Sequence, residues 1–331
     1  MAEIICAFEN EIIFFCANTI FFEKMKDENI FSVSAEIMEK IGFQEQKGCH
    51  WITSPLLQPW LHSRSRFAHK GDFGRALLIA GSRGMAGASV LAARACLRGG
   101  AGLLTVHAPR CNYGILQTAV PEAMVECDAA EDSVSSLDIK NLEKYTAVAI
   151  GPGLGKTDGA KQVLKQLLQF YRRPVVLDAD ALNLLAENPT YLEFVPPYSI
   201  LTPHLGEWER LMGKAGDAKE RLDVTRQFTA KHQLLVVIKG AYSVTVSPDG
   251  SCFFNTTGNP GMATAGCGDV LTGMLLSLLA QSYSPEKAAV LGVYLHGLAG
   301  DLALRKQSPE SLLSGDLVEN IGEAFQTLRG E

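Results

Sequence analysis

From about residue 70 onward, short apolar runs alternate with stretches whose apolar residues recur at helical spacing, and glycines lie between them. The pattern predicts strands over 75–80, 103–108, 146–150, 174–177, 199–201, 234–238, 243–246 and 252–255. It predicts helices over 88–98, 161–170, 181–186, 263–280, 285–305 and 311–328, with a helix-rich segment at 207–232. Such alternation builds βαβ units, hence an α/β fold with a mainly parallel sheet. The last three strands lie too close together for crossovers, so an antiparallel pair is expected to finish the sheet. Ligands of open sheets of this kind gather beyond the C-terminal ends of the strands.

Before residue 70 the pattern is different. Apolar runs at 4–8 and 12–16, separated by Glu9-Asn10-Glu11, read as a β-hairpin. A helix is expected over 34–41, then a connector through Trp51, Pro55, Pro59 and Trp60. Glu3, Glu9 and Glu11 stand where a signal peptide needs cations, and no uncharged apolar run reaches membrane-spanning length. A soluble, cytoplasmic protein is therefore expected.

Composition adds exclusions. The 331 residues are 47% hydrophobic and 20% charged, which is ordinary globular composition. The formal charge is −6 and no basic run stands out, so nucleic acid is not an expected partner. The eight cysteines form no Cys-x-x-Cys pair, which argues against a zinc or redox centre and for reduced thiols.

Candidate chemistry sits where strands give way to loops. Asn259-Pro260-Gly261-Met262-Ala263-Thr264-Ala265-Gly266-Cys267-Gly268-Asp269 opens an apolar helix. Glycines let a backbone approach a ligand, and helix N-termini attract phosphate. Asp269 would repel that phosphate unless it takes a proton from a hydroxyl while the amides hold the phosphoryl group. An acidic first turn that simply suits the helix dipole is the plain alternative. Gly151-Pro152-Gly153-Leu154-Gly155 offers amides for a pyrophosphate; a merely structural turn is the alternative, but it would manage with fewer glycines.

The remaining motifs each carry two readings. Gly81 to Ala88 is a nucleotide-type loop or a tight turn, with neither dinucleotide nor Walker spacing. Arg98-Gly99-Gly100-Ala101-Gly102-Leu103 makes room for a ligand or for a crowded helix–strand crossing. Asp180 and Asn183 reach magnesium or its waters, or else Asp178 or Asp180 caps a helix. His204, with Glu207 three residues on, touches substrate or builds a capping box. Lys239-Gly240-Ala241-Tyr242-Ser243 is a nucleotide contact or a solvated turn. His296 and Asp301 are near enough in sequence to pair, without an assigned role.

Taken in order, eight motifs give the chain a resemblance to the ADP- or ATP-dependent NAD(P)H-hydrate dehydratases of the ribokinase-like superfamily. They are His69 to Gly74, Gly81 to Ala88, Arg98 to Leu103, Gly151 to Gly155, Leu177 to Asn183, Thr202 to Glu207, Lys239 to Ala241 and Gly258 to Asp269. The resemblance implies a ribokinase-like α/β fold, its mainly parallel central sheet flanked by helices on both faces. It implies repair of NADH or NADPH hydrated at C6: a nucleotide phosphorylates the ring hydroxyl, phosphate leaves, and the double bond re-forms. Asp269 is then the catalytic base. Hydrated cofactor is expected at Ala101, Gly153, His204 and Asp269. The adenine nucleotide is expected at Lys239, Gly240, Ala241, Tyr242, Ser243, Gly266, Cys267 and Gly268. Mg2+ would bridge its phosphates, through waters near Asp180, with no direct protein ligand assigned. Cys267 departs from the Thr or Ser frequent in the family, so its amide is expected to matter rather than its side chain.

The resemblance covers about 61–331 and implies a homo-oligomer from the fold class. Residues 1–60 are expected to be an extension, the remnant of or linker from the epimerase domain that many relatives carry, or an oligomer contact. They are too few for that domain, so no epimerase activity is expected. Two other functions share the loop and base: an alcohol kinase that keeps the phosphate on its product, and a silent nucleotide binder.

Overall fold

The computed structural model describes residues 3–8, 11–16, 19–24, 27–34 and 48–331, with side chains from residue 48 onward. Strands β1 (Glu3–Phe8), β2 (Glu11–Cys16), β3 (Thr19–Lys24) and β4 (Asp27–Ser34) form an antiparallel sheet in sequence order. The expected hairpin is its first pair, with Phe8 opposite Glu11. Residues 35–41 of the expected helix lie outside the described residues; Ser34 ends β4.

The second sheet has ten strands: β5 (Cys49–Ile52), β6 (Arg75–Ile79), β7 (Leu103–Ala108), β8 (Met124–Cys127), β9 (Ala147–Ile150), β10 (Val175–Leu177), β11 (Ile200–Leu201), β12 (Leu235–Ile238), β13 (Val244–Val246) and β14 (Cys252–Asn255). Their order is β5-β14-β13-β12-β11-β10-β9-β6-β7-β8. Only β12–β13 and β13–β14 pair antiparallel. The mainly parallel sheet is therefore as expected, and so is the antiparallel pairing of its late strands, although they do not finish it: β5 adds a parallel edge beyond β14. Two strands were not legible. β8 is a half-exposed edge, and β5 is a short mixed stretch that pairs in parallel with β14. The sheet thus begins before residue 61, inside the expected extension.

Successive residues of β6 feed opposite cores: Ala76 and Leu78 face one, Leu77 and Ile79 the other. On the first face lie α1 (Ala86–Arg98), α7 (Cys267–Ala280), α8 (Pro285–Ala303) and α9 (Ser314–Arg329). Between α1 and α7 come α2 (Tyr113–Ala119), α3 (Asp158–Phe170), α4 (Asp180–Glu187), α5 (Leu205–Met212) and α6 (Ala218–His232). Of these, α3 and α4 supply much of the second core through Leu164, Leu167, Leu182 and Leu185.

Helix α7 is buried all round from Val270 to Ala280, which is why its sequence reads as a continuous apolar run. A Cβ at Gly273 would lie 2.1 Å from the Ala92 carbonyl oxygen. Small residues on α1 and α7 therefore let these helices nearly touch, and this packing fixes where the N-terminus of α7 points.

Candidate active site

The loop before α7 is tied down from two helices. Gly258 N–H and the Asn259 amide donate to the two Asp301 oxygens, each at 2.9 Å. His296 Nε2 lies 2.9 Å from the Cys267 carbonyl oxygen, so that nitrogen carries the proton. Burial pushes its imidazole down to about 4, keeping it neutral. His296 and Asp301 thus do not pair with each other; both hold the loop. Ser314 Oγ donates to the Ala265 carbonyl at 2.6 Å. Gly266 has φ +91°, and a Cβ there would sit 2.5 Å from Leu91 Cδ1. Only glycine turns the chain into α7 at this point. Cys267 is buried with its sulfur against Ser314 Oγ at 3.4 Å, which leaves its amide as the part facing the helix mouth.

Asp269 stands in the first turn of α7. Burial, and then the negative charge of Asp178, push its carboxyl up to about 7, against the pull of Lys239. A carboxyl near neutrality takes and returns a proton readily, as a general base must. Asp178 is the group that sequence reasoning passed over as a cap. Its side chain is 1% exposed, with Oδ1 2.8 Å from Lys239 Nζ and Oδ2 accepting from Thr272 Oγ1 at 2.7 Å. It caps nothing, since Ala179, at φ +47°, precedes α4. Burial disfavours the Lys239 ammonium, but Asp178, Glu207 and Asp269 outweigh it and hold its pKa above the usual value. A Cβ at Gly268 would be 3.4 Å from Lys239 Nζ, so the lysine and the helix mouth are neighbours.

The capping reading of the Thr202 to Glu207 motif holds. His204 Nδ1 accepts from Gly206 and Glu207 N–H at 3.0 and 3.3 Å, and Glu207 Oε2 accepts from His204 N–H at 2.9 Å. This reciprocal capping box starts α5. It also fixes the proton on Nε2, 3.3 Å from Glu207 Oε1, on a side chain that is 54% exposed. Lys239 N–H donates to the Pro203 carbonyl at 2.9 Å, joining this turn to the next. In that next turn, Gly240 N–H meets Ser243 Oγ at 3.2 Å, and Tyr242 at φ +54° stands edge-on to Trp51 of β5.

The glycine turns after β6 and β9 are paired. Gly81 N–H donates to the Pro152 carbonyl at 2.8 Å, and Ser82 Oγ to the Gly153 carbonyl at 2.9 Å. A Cβ on Gly153 would lie 2.9 Å from the Met85 carbonyl and 3.0 Å from Ala88 Cβ. Met85 and Ala88 are thus its neighbours, and no sequence motif flagged them individually. Asp180 Oδ2 accepts from Gly155 N–H at 2.8 Å, and Oδ1 from the Asn183 amide at 3.3 Å. Asp180 braces the turn.

Ala101 is not with the others. It precedes β7, at the N-terminal end of the sheet, while Gly153, Asp178, His204, Lys239 and Asp269 follow strands or open α7 at the C-terminal end. Its N–H donates to Ser277 Oγ, about 12 Å along α7 from Asp269. The crowded crossing explains its glycines: a Cβ at Gly102 would be 1.8 Å from the Lys70 carbonyl oxygen. The His69 to Gly74 motif packs there too, through the Phe73 and Gly74 carbonyls.

Comparison with known proteins agrees with this geometry. A family described as NAD(P)H-hydrate dehydratase matches residues 76–323. The ADP-dependent (S)-NAD(P)H-hydrate dehydratase of Bacillus subtilis is 37% identical over 267 residues, covering 80% of this chain and 94% of that protein. The bifunctional NAD(P)H-hydrate repair enzyme of Moorella thermoacetica is 40% identical over 288 residues, 85% of this chain; the chain spans about half the length of such bifunctional relatives, 54% in this case. Among solved structures, the Bacillus subtilis ADP/ATP-dependent NAD(P)H-hydrate dehydratase co-crystallised with ATP and Mg2+ superposes with a TM-score of 0.72 at 30% identity, over 86% of this chain and all of that one.

Proposed function

Since the chain belongs to the NAD(P)H-hydrate dehydratase family, we propose that it regenerates NADH or NADPH from the S-epimer of the hydrated cofactor at the expense of ADP or ATP. The observation that carries this reading is the place of Asp269 in the first turn of α7, one residue from Gly268, whose Cβ would lie 3.4 Å from Lys239 Nζ; burial there raises its carboxyl to about 7. Asp269 takes the proton of the C6 hydroxyl as its oxygen attacks the terminal phosphoryl group of the nucleotide. The N–H groups opening α7 and the Lys239 ammonium balance the charge on the transferring group. Phosphate then leaves C6 with its bonding electrons, the neighbouring carbon loses a proton, and the ring double bond re-forms. His204 Nε2 and the Gly153 turn would orient the hydrated ring, with Met85 and Ala88 forming the wall behind it. The turn from Lys239 to Ser243 and the amides from Gly266 to Gly268 would hold the nucleotide.

Magnesium would enter with the nucleotide rather than wait in a resident site. Near the loop, Asp178, Asp180 and Glu207 are all committed to protein donors. Among the described residues, no group of three histidine, cysteine or acidic side chains is placed for a metal. That suits an ion held mainly by phosphate oxygens and water, whose chemistry is to neutralise phosphate charge. Among the described residues no helix is long and apolar enough to cross a membrane. Cytoplasmic residence and homo-oligomeric assembly are part of the proposal, the latter open to sedimentation.

The test is absorbance at 340 nm while the protein acts on hydrated NADH with magnesium and ADP or ATP. A rise that requires nucleotide supports the reading and identifies the donor. No rise with either, from folded protein, rejects it in favour of an alcohol kinase or a silent binder.

A further inference from the structure

A cleft of about 840 Å³ opens at the end of the sheet away from Asp269. One wall is the connector from His62 to Ala68; the others are the Gly99-Gly100 turn, the end of α7 at Leu278 and Gln281, and the last turns of α9. Leu278 lies roughly 13 Å along α7 from Asp269, so this space is separate from the site above. Its size is that of a small-molecule site.

The cleft is positive, although the chain as a whole is acidic. Arg64, Arg98 and Arg329 line it. Among the described residues, neither Arg64 nor Arg329 has a carboxylate partner. Burial, and then the charge of Arg329, lower the Arg64 pKa, so the two guanidinium groups feel each other. Arg98 shares Glu319 with Arg94, leaving those two cations with one carboxylate between them. The acid lining the cleft, Asp72, is committed to His69, with Oδ2 2.9 Å from its N–H and Oδ1 3.1 Å from Nδ1. Like charges held together without a counter-charge cost free energy that an anion would recover.

The walls are also ordered in advance. Arg64 Nη2 donates to the Gly100 carbonyl at 2.6 Å and to Gln281 Oε1 at 2.9 Å, and its guanidinium lies over the Phe73 ring at 3.9 Å. That fixes the fork, and among the described residues Nη1 and Nε have no hydrogen-bond partner, so both can meet a ligand. His62 stacks on Tyr283 at 3.8 Å, and its N–H donates to the tyrosine oxygen. At the rim, Phe67 is 93% exposed, and among the described residues no ring or cation stacks on it. Paired arginine forks suit phosphate oxygens, and an exposed aromatic face suits a flat heterocycle.

We propose that this cleft is a second binding site, taking a nucleoside phosphate between Arg64, Arg329 and Phe67. The inference does not depend on the reaction proposed above. Equilibrium dialysis with ADP and magnesium should find two molecules per chain. Arg329→Gln should weaken one of them at least tenfold and leave the other, together with turnover, unchanged. Phe67→Ala should weaken the same one for ADP but not for inorganic pyrophosphate, because the ring contact is lost and the phosphate contact kept. A single ADP per chain whose affinity Arg329→Gln leaves untouched overturns the proposal. So does a second ADP whose affinity is untouched by Arg329→Gln. If pyrophosphate binds there as tightly as ADP, and Phe67→Ala affects neither, the nucleoside part is overturned. Two bound ADP without regeneration of reduced cofactor would keep this site and reject the proposed reaction; turnover with a single ADP bound, its affinity untouched by Arg329→Gln, would do the reverse.

Discussion

Asp269→Asn is expected to abolish turnover while making the protein more stable at alkaline pH. The side chain keeps its size and loses its charge. In the folded protein the Asp269 carboxyl titrates near 7, against an ordinary value of 3.8. The folded state therefore binds a proton that the unfolded chain has released between roughly pH 4 and 7, and stability falls across that window as pH rises. The displacement of about three units corresponds to at most roughly 4 kcal/mol, fully felt above pH 7 and absent below pH 4. That displacement already nets the pull of Lys239 against burial and Asp178, and a buried Asn amide must still find partners, so a gain of about 1–3 kcal/mol at pH 8 is the working expectation. Urea denaturation of parent and variant at pH 4.5 and pH 8 measures it, with nucleotide binding followed by calorimetry. The variant should pull ahead only at the higher pH and still bind nucleotide. Equal stability differences at the two pH values would show that the carboxyl is not held near neutrality, and the base assignment would lose its physical support.

Four further outcomes follow from the same contacts. Turnover of the parent protein should fall about tenfold per pH unit below roughly pH 7, as Asp269 gains its proton, and a flat rate down to pH 5 would contradict this. His204→Ala should lose hydrated-cofactor affinity and about 1 kcal/mol of stability, whereas His204→Asn, still able to cap α5, should lose only affinity; calorimetry and thermal melts separate the two. Lys239→Met should cost about 3–5 kcal/mol by leaving Asp178 buried and unpaired, and adding Asp178→Asn should restore part of it, which melts of the single and double variants would show. Gly273→Ala should cost about 1–3 kcal/mol by forcing α1 from α7, with nucleotide affinity falling alongside; unchanged melting would refute the close crossing.

Most of the large sheet was legible because its central strands are buried on both faces and read as apolar runs between glycines. The strands β7 and β14 fall at the predicted residues, and the others lie within one residue of prediction. Edge strands carry no such signal. β8 shows two exposed residues out of four, and β5 owes its place to a distant partner, β14, rather than to its own composition. β3 and β4 were missed as well; β4 is an edge, whereas β3 is paired on both sides by β2 and β4.

At the site, what was legible was backbone and what was hidden was pairing. Gly266, Asp269, Gly153 and His204 announce themselves because a turn, a cap or a helix start needs a particular residue at each of them. Asp178 gives no local sign of its role. Its partners Lys239 and Thr272 are 61 and 94 residues away, and only the parallel order β10-β11-β12 beside α7 brings them together. Ala101 shows the converse. Glycines around it look like room for a ligand, yet the Lys70 carbonyl fills that room. A glycine run tells how closely something approaches, and the topology decides whether that something is a ligand or the chain itself.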